Sequence, residues 1–269
     1  RLQSGAWGTA QASRGASADG RLGRSGGGTF ARCAHEQPLF VGPEPALRPW
    51  ILVPARNEAP RIGAILRRAH AAMPSAQVVV VDGGSSDDTA QVARRHGAQV
   101  LHQTGRGYAD ALRTGYRAAL DGEVPWLVQL DADGQHPPQA AALVAGALRH
   151  ADWVVGTRDG TGSPGPMGRR VGAAVLCRTL RLSWGLPVTD PTSGLQGLNR
   201  TAMQCFANAL PDEAPDTGAR VLAARARLRY REVPVYMPER DEGESMHSGW
   251  HGLRNGLRSW RVAAMGPSR

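Results

Sequence analysis

From Trp50 to Val155 short apolar runs alternate with helix-length stretches, and this alternation restricts the fold more than any other feature of the chain. Strand-like runs at Ile51–Val53, Gln77–Val81, Gln99–His102, Trp126–Leu130 and Trp153–Val155 are separated by helical stretches near 60–72, 87–96, 108–120 and 138–149. Strands spaced by helices of about 10–15 residues are βαβ units, which build a parallel sheet covered by helices. The expected class is therefore α/β, a Rossmann-like α/β/α sandwich with a mostly parallel central sheet. Such sheets bind ligands beyond the carboxyl ends of their strands. The residues at those ends are the candidates for chemistry.

The segments outside this region divide the chain. Residues 1–48 are rich in Gly, Ser, Ala and Arg, include Ser25-Gly26-Gly27-Gly28, and carry neither apolar period, so they read as a disordered leader. Past Gly156 the alternation stops. A Gly/Pro loop at 160–168 leads to an apolar-rich helix over 169–184 and then to Asp190-Pro191-Thr192-Ser193-Gly194; a helix near 217–226 precedes a strand at 229–236. One domain over 49–240 and a tail over 241–269, made of a flexible polar loop and a basic amphipathic helix, complete the division. In that helix Leu253, Leu257, Trp260 and Ala264 share one side, with Arg254, Arg258 and Arg261 beside them. The stripe fits packing on its own domain or contact with a membrane surface.

Charge and cysteine content exclude several classes. The net charge is +9, and all 32 Lys+Arg positions are arginine. These charges are spread along the chain, with no dense basic run interleaved with aromatics, so nucleic acid is not an expected partner. Cys33, Cys177 and Cys205 have neither zinc-site nor disulfide-framework spacing and read as reduced. No apolar run approaches the roughly 18 residues of a membrane span, so the expected location is cytoplasmic, with peripheral membrane contact open.

Three strand ends carry polar motifs. The first strand runs into Val53-Pro54-Ala55-Arg56-Asn57-Glu58, and the second into Val81-Asp82-Gly83-Gly84-Ser85-Ser86-Asp87-Asp88-Thr89. An Asp at a strand end can accept hydrogen bonds from a nucleobase or ribose, while Ser and Asp in the turn cap the next helix. Asp87 fits a helix cap as well as a ligand. The fourth strand runs into Leu130-Asp131-Ala132-Asp133-Gly134-Gln135-His136-Pro137. Two carboxylates there suit a hard divalent cation, which takes oxygen ligands and leaves positions for water and phosphate. A solvated turn can carry the same pair, so the neighbouring motifs decide. Neither Gly-x-Gly-x-x-Gly nor a Walker-type loop is present.

Taken in order, Pro54-x-x-Asn57-Glu58, Val81-Asp82-Gly83-Gly84-Ser85-Ser86-Asp87, Gly105-Arg106-Gly107, Asp131-Ala132-Asp133 and Ser193-Gly194-Leu195-Gln196 resemble the family 2 glycosyltransferases with the GT-A fold, over about residues 50–250. Asp190-x-Thr192-Ser193-Gly194, Glu232-Val233-Pro234-Val235 and Arg240-x-x-Gly243-Glu244-Ser245 bring it nearest the dolichol- or polyprenyl-phosphate mannosyltransferase branch. The resemblance implies transfer of a hexose from a nucleoside diphosphate sugar, of the GDP-mannose or UDP-glucose type, to an acceptor such as polyprenyl phosphate. It implies Mg²⁺ or Mn²⁺ on Asp131 and Asp133, with His247 a further candidate ligand. Pro54, Arg56, Glu58, Asp82, Gly83, Arg106, Asp131, Ala132, Gln135, Arg158 and Ser245 would contact the nucleotide sugar. Asp216, Asp133 and Arg240 would act in catalysis.

Four positions depart from the pattern. Relatives often carry a second acid where Gly218 stands, Asp where Gly83 stands, and Lys where Arg106 and Met246 stand. Arg106 keeps the charge; Met246 does not, and His247 is the nearby substitute. Two alternatives remain at this level: a same-fold transferase acting on a soluble acceptor, and a non-catalytic nucleotide-sugar-binding protein.

Overall fold

A computed structural model describes residues 47–132, 138–158, 167–237 and 249–266. Residues 1–46 of the expected leader, 160–166 of the expected Gly/Pro loop and the expected polar loop up to residue 248 lie outside the described residues, while 167–168 already belong to a helix. The strands are β1 (Trp50–Ala55), β2 (Gln77–Asp82), β3 (Gln99–His102), β4 (Trp126–Gln129), β5 (Trp153–Arg158), β6 (Gln196–Asn199) and β7 (Tyr230–Val235). The helices are α1 (Ala59–Ala72), α2 (Thr89–Arg95), α3 (Tyr108–Asp121), α4 (Pro138–Ala147), α5 (Met167–Trp184), α6 (Arg200–Ala209), α7 (Pro215–Arg225) and α8 (Gly249–Met265).

The seven strands form one sheet in the order β3-β2-β1-β4-β6-β5-β7. All neighbours pair in parallel except β6, which runs antiparallel between β4 and β5. The expected mostly parallel sandwich is borne out. Every residue of β1 is buried, which is why Trp-Ile-Leu-Val-Pro-Ala reads as a continuous apolar run. One apolar cluster joins Ile51, Val53, Val78 and Val80 to Ile62 and Leu66 of α1 and to Val144 of α4. On the other face Leu52, Val79, Val81, Leu127 and Trp153 pack against Tyr116 of α3, Phe206 of α6 and Ala219 of α7. A third, smaller cluster joins Leu176 and Leu180 of α5, Val221 of α7 and Val262 and Ala263 of α8.

Three differences from the sequence reading have physical causes. β6 and α6 were not anticipated. β6 has only four residues, and its Gly197 leaves room for the Val144 side chain, which a Cβ would crowd to 2.7 Å. β4 ends at Gln129, so Leu130 and Asp131 already belong to the loop. Finally, α8 docks through Val262 and Ala263 and through the Trp184 indole, which donates to the Ala263 carbonyl at 2.6 Å. Leu257 and Trp260 face outward instead.

Candidate active site at the carboxyl edge of the sheet

The loops after β1 and β2 are tied into one surface. Asn57, at φ 56°, donates its N–H to Ser85 Oγ at 3.0 Å, and its own Oδ1 accepts from the Ser86 N–H at 2.8 Å. The Glu58 N–H donates to Thr89 Oγ1 at 2.8 Å. Asp87 accepts from the Ala59 N–H at 3.1 Å and from the Thr89 N–H at 3.0 Å, which joins the amino ends of α1 and α2. Of the two readings of Asp87, the capping one therefore describes its contacts here. Pro54 and Asp82 are buried beside this surface, Glu58 and Gly83 are half-buried, and Arg56 is exposed. Asp82 accepts from Ser85 Oγ at 2.5 Å, and His102 Nδ1 stands 3.3 Å from it. Arg106 is exposed in the loop that opens α3, where the Gly105 N–H donates to Asp110 at 2.7 Å.

Asp131 sits in a cradle built by three other elements. The Tyr116 hydroxyl donates to Gln129 Oε1 at 2.6 Å; Gln129 Nε2 donates to the Tyr108 oxygen at 3.0 Å and to the Gly194 carbonyl at 3.2 Å. Tyr108 in turn donates to Asp131 Oδ1 at 3.2 Å. Burial, followed by the nearby carboxylates, pushes both phenols well above their usual range, so both remain donors. Glycine at position 194 leaves the Asp131 carboxylate its place, because any Cβ there would overlap it and push it aside. Ala132 is buried next to it.

Asp216 occupies the first turn of α7, next to Ala214 in a left-handed conformation and Pro215 at the helix start. Its Oδ1 is buried without a hydrogen-bond partner among the described residues. Burial pushes its carboxyl up to about 7; Arg220 opposes the shift, while Asp131 and Asp190 add to it. Arg220 is fully buried and donates to the main-chain oxygens of Asp216 at 2.8 Å and Asp190 at 2.7 Å. Arg158, at the end of β5, pairs with Asp190 at 2.6 Å. The structure also explains the glycine at 218: the Pro211 ring occupies the space of a side chain there.

The strand ends thus bring Pro54, Arg56, Glu58, Asp82, Gly83, Asp131, Ala132 and Arg158 to one edge of the sheet, with Asp216 electrostatically coupled to Asp131. Asp133, Gln135, Arg240, Ser245 and His247 lie outside the described residues, as does Met246. Among the described residues no group of three His, Cys, Asp or Glu side chains is placed to hold a metal ion. Asp131 nevertheless fits one: it is a half-buried carboxylate oriented by a phenol, and its neighbours in the sequence motif supply oxygen rather than sulfur. Sequence reasoning missed Tyr108, Tyr116, Gln129 and Arg220. Gln129 inside an apolar strand and Arg220 inside an Ala/Val-rich helix were the available signals, since polar groups persist in such positions only with partners.

This sheet order, with its carboxylate-bearing edge, is that of the GT-A class. Glucosyl-3-phosphoglycerate synthase from Mycobacterium tuberculosis, in complex with phosphoglyceric acid, superposes with a TM-score of 0.63 at 20% identity, covering 83% of this chain and 82% of that one. The chain belongs to glycosyl transferase family 2, whose family model matches residues 50–206. It is 31% identical over 215 residues to undecaprenyl-phosphate mannosyltransferase of Micrococcus luteus, covering 76% of this chain and 88% of the relative. It is 28% identical over 239 residues to polyprenol monophosphomannose synthase of Mycolicibacterium smegmatis, covering 80% and 86% respectively.

Proposed function

We propose that this glycosyltransferase moves a hexosyl group from a nucleoside diphosphate sugar to a polyprenyl phosphate at a membrane surface, with inversion at the anomeric carbon. The observation that carries the lipid acceptor is the outer face of α5. Met167, Val171, Val175 and Leu182 are 71%, 56%, 48% and 72% exposed on one side of this helix, with Arg178 among them and Arg170 and Arg181 along the flank. Apolar side chains set among arginines suit an anionic, apolar boundary. The names of the two curated relatives support the same acceptor class. Among the described residues no helix is long and apolar enough to cross a membrane.

In this reading Pro54, Arg56, Glu58, Asp82 and Gly83 receive the base and ribose, while Arg106 and Arg158 face the diphosphate and sugar. Gln135 and Ser245 belong to the same donor set. Asp131 and Asp133, with His247, would hold Mg²⁺ or Mn²⁺, which neutralises charge on the departing diphosphate. The Mn²⁺ and UDP in another complex of the M. tuberculosis synthase support a divalent metal as the cofactor. An acceptor phosphate oxygen attacks the anomeric carbon, and the bond to the diphosphate breaks with its electron pair leaving on the nucleoside diphosphate. Arg240 would steady that leaving group. A phosphate is already anionic near neutrality, so no base has to deprotonate it, consistent with a glycine at 218. Asp216, with its carboxyl raised to about 7, would keep a proton with which to orient the acceptor phosphate.

The test compares transfer from GDP-mannose and UDP-glucose to polyprenyl phosphate in anionic vesicles with transfer to 3-phosphoglycerate in solution. Vesicle transfer should dominate, and vesicle binding should weaken with salt, because each surface arginine contributes about 1 kcal/mol over a Debye length of about 10 Å at 0.1 M. Changing Arg170, Arg178 and Arg181 together to Gln should cut vesicle binding at least tenfold. Efficient transfer to the soluble acid without vesicle binding would instead establish a soluble-acceptor transferase.

A further inference from the structure

Gln129 is fully buried in the middle of a sheet whose other interior side chains are mostly apolar. A buried amide is retained at a cost unless its hydrogen bonds are made, and here three are made, each in one direction. Oε1 accepts from the Tyr116 hydroxyl at 2.6 Å, so Nε2 must face the other way, towards the Tyr108 oxygen at 3.0 Å and the Gly194 carbonyl at 3.2 Å. The Gly194 carbonyl can only accept, which locks the amide against a flip. The Tyr108 oxygen is already occupied by a donor on that side, so its own proton is delivered to Asp131 Oδ1 at 3.2 Å. Gly194, which holds the amide through its carbonyl, also presses against the Asp131 carboxylate through its bare Cα.

We infer that Tyr116, Gln129 and Tyr108 form a one-way hydrogen-bond chain that positions the Asp131 carboxylate for cation binding. Tyr108 is the positioning residue in contact with Asp131, the Gly194 carbonyl sets the polarity of the chain, and Tyr116 supplies the donor that Gln129 Oε1 needs at its far end. Without the Tyr116 hydroxyl Gln129 Oε1 is left buried without its donor, and the amide is held in its sense by the Gly194 carbonyl alone. If it turned, Gln129 Oε1 would face Tyr108 and draw the phenol proton away from Asp131. The inference rests on the proposed role of Asp131 as a ligand. Groups that orient a metal-binding side chain affect metal affinity by roughly 10–100-fold.

The variants are Tyr108→Phe and Tyr116→Phe, which keep both rings in the core. The readout is equilibrium binding of Mn²⁺ followed by its paramagnetic resonance, and of UDP and GDP by calorimetry with and without Mn²⁺, no turnover being required. Tyr108→Phe should weaken Mn²⁺ binding about tenfold, and Tyr116→Phe about threefold. Nucleotide binding without metal should stay within twofold of the parent in both. A merely structural role would lower the melting temperature while leaving the Mn²⁺ dissociation constant unchanged, and that result overturns the inference. Tighter Mn²⁺ binding in either variant overturns it as well. If the parent protein binds Mn²⁺ no better than an Asp131→Asn variant does, the ligand role of Asp131 falls and this inference falls with it. Should either phenylalanine variant fail to fold, Gly194→Ala provides the decision. Its methyl displaces the Asp131 carboxylate from the other side, and unchanged Mn²⁺ affinity there overturns the inference.

Discussion

Asp216 stands where two opposing demands meet, a buried carboxyl oxygen without a hydrogen-bond partner among the described residues and a fully buried arginine one helical turn away. Burial prevails and raises the carboxyl to about 7 from the ordinary 3.8. The unfolded chain releases this proton near pH 4, whereas the folded chain keeps it until about 7. Stability is therefore fullest below the unfolded value and declines as pH rises between the two, with an upper bound of about 4 kcal/mol. Asp216→Asn should remove this decline, so the melting temperature of the variant should exceed that of the parent at pH 8 and match it near pH 4. In the proposed reaction the protonated carboxyl meets the acceptor. Transfer to polyprenyl phosphate should then fall as pH rises through about 7 in the parent and flatten in Asp216→Asn; a rise with pH in the parent would identify a general base instead. The sequence pointed to Asp216 and Asp131 through their motif positions. It could not show that Pro211 fills the space over Gly218, because that contact depends on how the loop before α7 folds back.

Helix α8 shows where periodicity misleads. Its Leu253, Leu257, Trp260 and Ala264 stripe is a regular apolar side in the sequence, yet among the described side chains the buried contacts are made by Val262 and Ala263. The Trp184 bond to the Ala263 carbonyl and the Arg225 guanidinium, 5.0 Å from the Trp184 ring centre, fix that choice. Both partners come from distant segments, so no window on α8 alone could reveal them. Val262→Asp places a carboxylate among Leu176, Leu180 and Val221 and should cost at least about 3 kcal/mol in the docking of this helix. Hydrogen exchange should show residues 255–265 losing about a hundredfold protection while β1 and β2 stay unchanged. Equal loss throughout the sheet would mean that α8 unfolds only with the whole domain. The parallel strands and their helices were readable because each buries a continuous apolar run. β6 was not, since Gln196, Gly197 and Asn199 carry polar or absent side chains whose burial depends on neighbours in β4 and β5.

The placement of β6 also orders events in time. β4 and β5 are consecutive strands in the sequence, yet they do not pair; the strand between them is made later, with Gln129 paired to Gln196 and Val155 paired to the same residue. A chain emerging from the ribosome can therefore assemble β1, β2, β3 and β4 early, but β5 has to wait for β6 and β7. Such non-local pairing is slow and leaves a strand edge exposed in the interval. Chains stopped at residue 158 should show protected amides in β1 and β2 and none in β5, and protection of β5 should arise once residues through 237 are present. Early protection of β5 would show that it first docks elsewhere. For a growing chain, the vulnerable period is the synthesis of α5, when the free edge of β4 and the apolar arginine-bordered face of α5 are exposed together, so a chaperone or a membrane surface would be met before the sheet is complete.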